Sequence, residues 1–154
     1  YQRVGDIRAY EIVREHFTLL RDIIAEFGGA VVKTMGDAVM ASFADPMSAL
    51  EAAIVINREI ARVPSDEALI LKIGVHMGSC IAVESNERLD YFGQTVNLAA
   101  RVQSIAAAGE IVVTQPIYES PGAMDLLRSM RLTPTSDSVY LRGIDGVTSV
   151  YRLS

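Results

Sequence analysis

The spacing of apolar residues changes at Gly28-Gly29, in the first fifth of the chain. Before this pair, apolar residues recur at steps of three and four, the spacing of one face of an amphipathic helix: Ile12, Val13, Phe17, Leu20, Ile24 and Phe27. After it, two short β-prone runs, Ala30 to Lys33 and Ala38 to Phe43, flank Thr34-Met35-Gly36-Asp37, which predicts a tight hairpin. This change from helix to hairpin favours folds that pack helices against a sheet.

The rest of the chain repeats the alternation of helices and strands. Asp45-Pro46 predicts a helix start, with Asp as N-cap and Pro in the first turn, and Pro64 closes that helix. A second helix is expected from about Gly93 to Ala107, with Gly109 as its cap. The remaining predicted strands are Leu69 to Val75, Cys80 to Val83, Ile111 to Thr114, and a last hairpin of Val139-Tyr140-Leu141 with Val147 to Leu153. No repeat or linker divides residues 1–154, so the prediction is one α+β domain.

Composition excludes several functional classes. The net charge of −5 argues against non-specific electrostatic binding to nucleic acid or anionic lipid. The longest clean apolar stretch, Ala52 to Ile56, is far shorter than the roughly 20 residues of a membrane span. A single cysteine, Cys80, excludes an internal disulfide and a zinc site of several thiolates, which favours a reducing, cytoplasmic compartment. The start at Tyr1 suggests a piece of a longer polypeptide.

Lys33 and Asp37 place two opposite charges in an otherwise apolar hairpin. Unpaired charge in a buried strand pair is costly, so these side chains are candidates to reach a ligand, a metal or a partner chain. The alternative is a solvated hairpin tip with a weak Lys–Asp ion pair, since surface ion pairs are common and contribute little.

Asn97 and Arg101 stand one turn apart if Gly93 opens a helix. Arg offers a rigid fork of donors to phosphoryl oxygens, and Asn can donate to a sugar or phosphate oxygen. The pair therefore suits a phosphate-bearing ligand, and the alternative is two exposed polar residues on a helix flank.

His76 lies between Gly74 and Gly78. It is expected to be a hydrogen-bonded structural residue, and we assign it no catalytic role. Gly78 is expected to let two strands cross closely.

In chain order, these segments resemble the catalytic domain of the class III nucleotidyl cyclases, the adenylate and guanylate cyclases. The resemblance covers nearly the whole chain, and its quoted motifs are Gly28-Gly29, Val32-Lys33-Thr34-Met35-Gly36-Asp37-Ala38, Ala41-Ser42-Phe43, Gly74-Val75-His76-Met77-Gly78, Asp90-Tyr91-Phe92-Gly93 and Val96-Asn97-Leu98-Ala99-Ala100-Arg101. It implies a ferredoxin-like α+β sandwich, a mostly antiparallel sheet with helices on one face.

The resemblance also implies roles for individual residues. Lys33 and Asp90 match the pair that recognises the base, and Lys with Asp is the family's choice for adenine, so ATP is the implied substrate. Asp37 matches one of two metal-holding aspartates. Asn97 and Arg101 match the residues that position the ribose and stabilise phosphate charge. The implied reaction is in-line attack of the ribose 3′-oxygen on the α-phosphorus, supported by two Mg²⁺ or Mn²⁺ ions.

The chain departs from the family pattern at two places. The family's first metal aspartate lies on a strand before the first helix, and Asp6 is too close to Asp37 to substitute for it. We therefore expect the first strand, and with it one metal ligand, to be missing from this fragment. The phosphate-binding lysine of some members falls in the last hairpin, where Arg142 is the candidate replacement.

The sequence thus predicts a cytoplasmic adenylate cyclase domain, attached to an upstream sensor or regulatory segment. A head-to-tail homodimer is expected, because Lys33 and Asp37 lie on one hairpin yet serve opposite ends of one nucleotide. Two alternatives stay open: a degenerate cyclase-like module that binds nucleotide or a partner without turnover, and a ferredoxin-like RNA-binding domain. Acidity and the lack of a strand with stacked aromatics argue against the second alternative.

Overall fold

The computed structural model describes residues 5–63 and 71–154. Five helices lie in this part of the chain: α1 Gly5–Glu26, α2 Pro46–Ala61, α3 Gln94–Ser104, α4 Gln115–Tyr118 and α5 Ala123–Ser129. The strands of the same residues are β1 Ala30–Met35, β2 Ala38–Ser42, β3 Ile73–Val75, β4 Ile81–Ser85, β5 Arg88–Phe92, β6 Ile111–Thr114, β7 Pro134–Tyr140 and β8 Val147–Leu153. No helix within them is long and apolar enough to cross a membrane.

Helix α1 ends, and helix α2 begins, where the sequence predicts. Helix α1 stops at Gly28, which has φ +81°, and the amide of Gly29 donates to the carbonyl of Ile24 over 2.9 Å. This is the left-handed glycine cap expected of a helix C-terminus. Helix α2 starts after Asp45, whose Oδ1 accepts from the amide of Met47 over 3.1 Å. The predicted closure at Pro64 lies outside the described residues.

The strands form a four-stranded sheet and two hairpins among the described residues. The sheet has the order β3-β6-β8-β7, and the hairpins are β1-β2 and β4-β5. Only β3 and β6 run parallel in these pairings, and every other pair is antiparallel. The predicted α+β class with mostly antiparallel strands is therefore confirmed.

Helices cover both faces of the four-stranded sheet, which differs from the expectation of helices on one face. Ile111 and Val113 of β6 point to one face, where they pack with residues of α2, α4 and α5. Val112 points to the other face and packs with Val102 of α3 and Val150 of β8. Successive strand residues alternate between faces, so an unbroken apolar strand needs cover on both sides. All four residues of β6 are buried.

A second core lies between helices α1 and α2. Its buried residues are Leu20, Ile23, Ile24, Ala52, Ile56 and Ile60. Val39 and Ala41 of β2 and Ile73 of β3 pack against this same cluster. In the described ranges, however, β2 pairs with β1 and β3 pairs with β6, and the two strands do not pair with each other. Both β2 and β3 therefore pack on the same helical layer, and each has one edge that is unpaired among the described residues.

Several elements were missed or misplaced by the sequence analysis. Strand β5 was missed because its turn, Asn86-Glu87, lacks the usual Asn-Gly signal, although both residues take positive φ as a type I′ turn requires. The short helices α4 and α5 were also missed, since four and seven residues carry little periodicity. Helix α3 ends at Ser104 rather than Ala107, and Leu141 lies beyond the end of β7.

Candidate active site

Lys33 and Asp90 form an ion pair between two hairpins that are distant in sequence. Lys33 Nζ donates to Asp90 Oδ2 over 3.2 Å, across 57 residues of chain. Their side chains are 33% and 27% exposed, so the pair is partly buried and still reachable from solvent. The structure thus brings together the two residues assigned to the base. Lys33 pairs with Asp90 and not with Asp37, so the interpretation as a local ion pair at the hairpin tip is wrong.

The backbone explains how these side chains meet. Strand β1 carries Lys33 just after an irregularity in its pairing with β2, between Val31 and Lys33, and β1 packs against β5. Asp90 and Phe92 are two residues apart on β5, so they share a face of the strand. The Phe92 ring lies beside the ammonium group, with its centroid 5.8 Å from Lys33 Nζ.

The local environment keeps the Asp90 carboxylate ionised. The backbone amide of Tyr91 donates to Asp90 Oδ1 over 2.8 Å, and this hydrogen bond is the largest cause of a lowered Asp90 pKa. Partial burial opposes the shift, and the hydrogen bond and charge of Lys33 add to it. Asp90 is consequently an acceptor at neutral pH, beside a cationic donor.

Asn97 and Arg101 lie on the exposed side of α3, one turn apart as predicted. Gly93 has φ +130°, which only glycine adopts readily, and it lets β5 turn directly into α3. Gly74 of β3 allows α3 to lie close, because a Cβ there would overlap the backbone of Gln103. The turn at Gly93 thus connects α3 directly to β5, and the close approach at Gly74 holds α3 against β3.

Asp37 lies exposed in the turn between β1 and β2. An exposed carboxylate suits a hard divalent cation, which Mg²⁺ sites usually complete with further carboxylates, water and substrate phosphate oxygens. The described residues hold no group of three or more His, Cys, Asp or Glu side chains that could bind a metal ion. Asp37 therefore fits one ligand of a metal, and by itself it does not fit a site for two ions.

Arg142 is exposed in the connection between β7 and β8. Its neighbour Leu141 is buried with Val102 of α3, and Leu98 of α3 packs against the same cluster. The connection therefore lies against the helix that carries Asn97 and Arg101. Leu141 thus lies on the α3 side of the sheet, and the exposed Arg142 follows it in the chain.

His76 is structural, as expected. Its Nδ1 is joined to Thr114 Oγ1 by a hydrogen bond of 2.6 Å, and burial lowers the His76 pKa. The expectation for Gly78 is wrong in its partner: a Cβ there would press on the side chain of Thr95 in α3, and not on a crossing strand. The His76–Thr114 hydrogen bond thus joins the carboxyl ends of β3 and β6, and Gly78 lets the segment after β3 lie against α3.

Phe92 also belongs to this cluster, although the sequence pattern alone did not predict a role for it. The available signal was its spacing, because a residue two positions after Asp90 on a strand faces the same way. That signal could be used only after β5 was identified as a strand. The missed turn at Asn86-Glu87 therefore concealed the contact between Phe92 and Lys33.

Comparison with known proteins identifies the family. Residues 2–153 match the family described as the adenylate and guanylate cyclase catalytic domain. An adenylate cyclase of Streptomyces coelicolor is 33% identical, over 89% of this chain and 33% of its own length. A receptor-type adenylate cyclase of Trypanosoma congolense is 27% identical, over 94% of this chain and 24% of its own length.

Solved structures agree on the fold. An adenylate cyclase of Trypanosoma brucei, solved in its monomeric state, superimposes with a TM-score of 0.81 at 23% identity, covering 94% of this chain and 79% of that chain. The chain spans about a quarter of the length of the trypanosomal receptor-type relative. By the match along nearly its whole length, the chain belongs to the adenylate and guanylate cyclase catalytic domain family.

Proposed function

We propose that this domain converts ATP to 3′,5′-cyclic AMP and pyrophosphate. The observation that carries the proposal is the Lys33–Asp90 pair, 3.2 Å apart and partly exposed. A cationic donor beside an ionised acceptor matches the edge of adenine, where N1 accepts and the neighbouring exocyclic amine donates. Guanine reverses this order and would leave both side chains mismatched.

Helix α3 carries the groups for the rest of the nucleotide. Asn97 orients the ribose, and the Arg101 guanidinium stabilises charge that develops on the phosphate oxygens. The 3′-oxygen attacks the α-phosphorus and its proton passes to solvent, while the bond from the α-phosphorus to the α,β-bridging oxygen breaks and pyrophosphate leaves. Arg142 is proposed as a further phosphate contact.

The metal ligands are proposed to come from two segments. Two Mg²⁺ or Mn²⁺ ions would neutralise the triphosphate and its developing charge, with Asp37 as one carboxylate ligand. Strands β2 and β3 pack on the same core, and each has an edge unpaired among the described residues, which suits a strand from outside them. We propose that this strand carries the second aspartate.

The strand proposal is tested by comparing residues 1–154 with a version extended at its amino terminus, both supplied with ATP and Mn²⁺. The extended chain is expected to make cyclic AMP, and the shorter chain to make little, because one carboxylate holds two cations poorly. Comparable turnover by both would show that the shorter chain already holds a full metal site.

A head-to-tail homodimer is proposed as the active assembly. Each site would take Asp37 from one chain and Lys33, Asp90, Asn97 and Arg101 from the other, giving two equivalent sites. Mixing an Asp37→Ala chain with an Arg101→Ala chain should restore cyclase activity, since one composite site then carries neither lesion. A confirmed heterodimer with no restored activity would exclude shared sites.

The activity itself is tested on the complete natural chain, with ATP and GTP compared in the presence of Mn²⁺. Cyclic AMP formation with ATP preferred supports the proposal. Binding of ATP without turnover would instead support a degenerate cyclase-like module, which the single metal carboxylate among the described residues favours. The RNA-binding alternative is set aside by the family match.

The cellular setting follows from the same proposal. ATP as substrate and the lone, exposed Cys80 favour the cytoplasm. The relatives are much longer than this chain, and one is named as receptor-type, which supports an upstream sensor or regulatory segment in the parent protein.

A further inference from the structure

Phe92 places its ring beside the Lys33 ammonium group. The ring centroid is 5.8 Å from Nζ, and Asp90, on the same face of β5, holds that Nζ at 3.2 Å. Lys33 is thus held by two side chains of one strand. Phe92 is 51% exposed, so its ring is accessible from solvent beside the ion pair.

Lysine needs such support if it is to select a base. Its side chain has four flexible carbons and is strongly hydrated, so a single partly exposed carboxylate restrains it weakly. An aromatic face attracts the ammonium group without offering a competing acceptor. Phe92 therefore restrains Lys33 and leaves its remaining donors available to a ligand.

We propose that Phe92 is a positioning residue that orients Lys33 for recognition of adenine. The inference rests on the proposed function and adds a specificity determinant to it. Removing the ring should loosen the donor, with no direct effect on the reacting phosphate at the other end of the nucleotide. Removing the ring is therefore expected to weaken ATP binding and to lower the preference for ATP over GTP.

The test measures kcat and KM for ATP and for GTP in the complete natural chain and three variants. Phe92→Leu is expected to raise the KM for ATP about two- to fivefold with little change in kcat, as expected for loss of a cation–π contact at an exposed site. Its preference for ATP over GTP should fall by a similar factor. Phe92→Tyr keeps an aromatic face, so its KM for ATP and its preference for ATP should stay close to those of the wild-type chain. Leu89→Ala is the matched control, because Leu89 is 52% exposed and adjacent to Asp90 on the opposite face of β5.

Two further measurements separate positioning from a general effect on the hairpin. In a Lys33→Met background, Phe92→Leu should cause no further loss of the preference for ATP over GTP. If the ring acted only structurally, Phe92→Leu would still lower this preference. By NMR without nucleotide, the ε-methylene protons of Lys33 should lose an upfield ring-current shift in Phe92→Leu. The mass in solution should be the same for the wild-type and Phe92→Leu chains.

The outcomes distinguish this inference from the proposed function. If the wild-type chain does not prefer ATP, both are overturned. If the wild-type chain prefers ATP and Phe92→Leu has the same KM and preference, only the role of Phe92 is overturned. A Phe92→Leu chain that loses kcat together with its native mass would show that the ring acts in assembly, which also overturns positioning.

Discussion

The four-stranded sheet and the β4-β5 hairpin use similar apolar residues in opposite surroundings. Strand β6 is covered by helices on both faces, and Ile111 is 2% exposed. The β4-β5 hairpin leaves Ile81, Val83, Leu89 and Phe92 exposed. An isolated two-stranded hairpin is marginally stable in water, so this one depends on neighbours such as β1 and α3.

This contrast separates stability from recognition. The covered sheet is also joined by Arg152 of β8, which donates to Asp137 on β7 over 3.2 Å and to Glu110 before β6 over 2.6 Å. The hairpin instead presents Asp90, with a lowered pKa, towards a side chain of another element. We therefore expect substitutions in the sheet to change unfolding and substitutions in the hairpin to change nucleotide preference.

The largest expected effect comes from truncating one isoleucine in each region. Ile111→Ala removes a fully buried side chain and should lower the free energy of unfolding by about 2 to 5 kcal/mol. Ile81→Ala, at a residue 66% exposed, should change it by less than about 0.5 kcal/mol. Urea denaturation of both variants under one set of conditions measures the difference. Similar losses in the two variants would mean that the hairpin is as well covered as the sheet.

A smaller effect is expected when the ion pair itself is replaced. Lys33→Glu with Asp90→Cys should lower the preference for ATP over GTP by about tenfold or more, because matched polar contacts to adenine are lost. The melting temperature should change little. The exposed Glu59–Arg62 pair of α2, exchanged as Glu59→Arg with Arg62→Glu, provides a control for altered charge. An unchanged preference in a folded double variant would mean that the base binds elsewhere.

The smallest effect concerns the titration of Asp90. Because the pKa of Asp90 in the folded chain lies below the ordinary value of 3.8, the ionised carboxylate stabilises the fold above that pH, and this contribution is lost as the pH falls through the lowered pKa. Lys33→Met should raise the Asp90 pKa only in part, since the hydrogen bond from Tyr91 is the larger cause. NMR titration of the Asp90 carboxyl group in the wild-type and Lys33→Met chains measures this pKa. Full return to the ordinary value would assign the shift to Lys33.

Much of the fold could be predicted from local pattern. The apolar period before Gly28-Gly29, the cap at Asp45 and the unbroken apolar run of β6 each depend on neighbours within a few residues. Helices α4 and α5 and the Asn86-Glu87 turn could not be found in this way, because short helices lack a full period and the turn lacks glycine. Their conformations are stabilised by packing of the completed fold.

The sequence by itself determined the α+β alternation, the charged β1-β2 hairpin and the family resemblance that singled out Lys33, Asp90, Asn97 and Arg101. Only the tertiary structure decided that Lys33 pairs with Asp90, that Phe92 lies beside them, and that helices cover both faces of the central sheet. The physical reason is range: helix and turn preferences act over a few residues, whereas an ion pair across 57 residues forms only after the intervening helix and strands have packed.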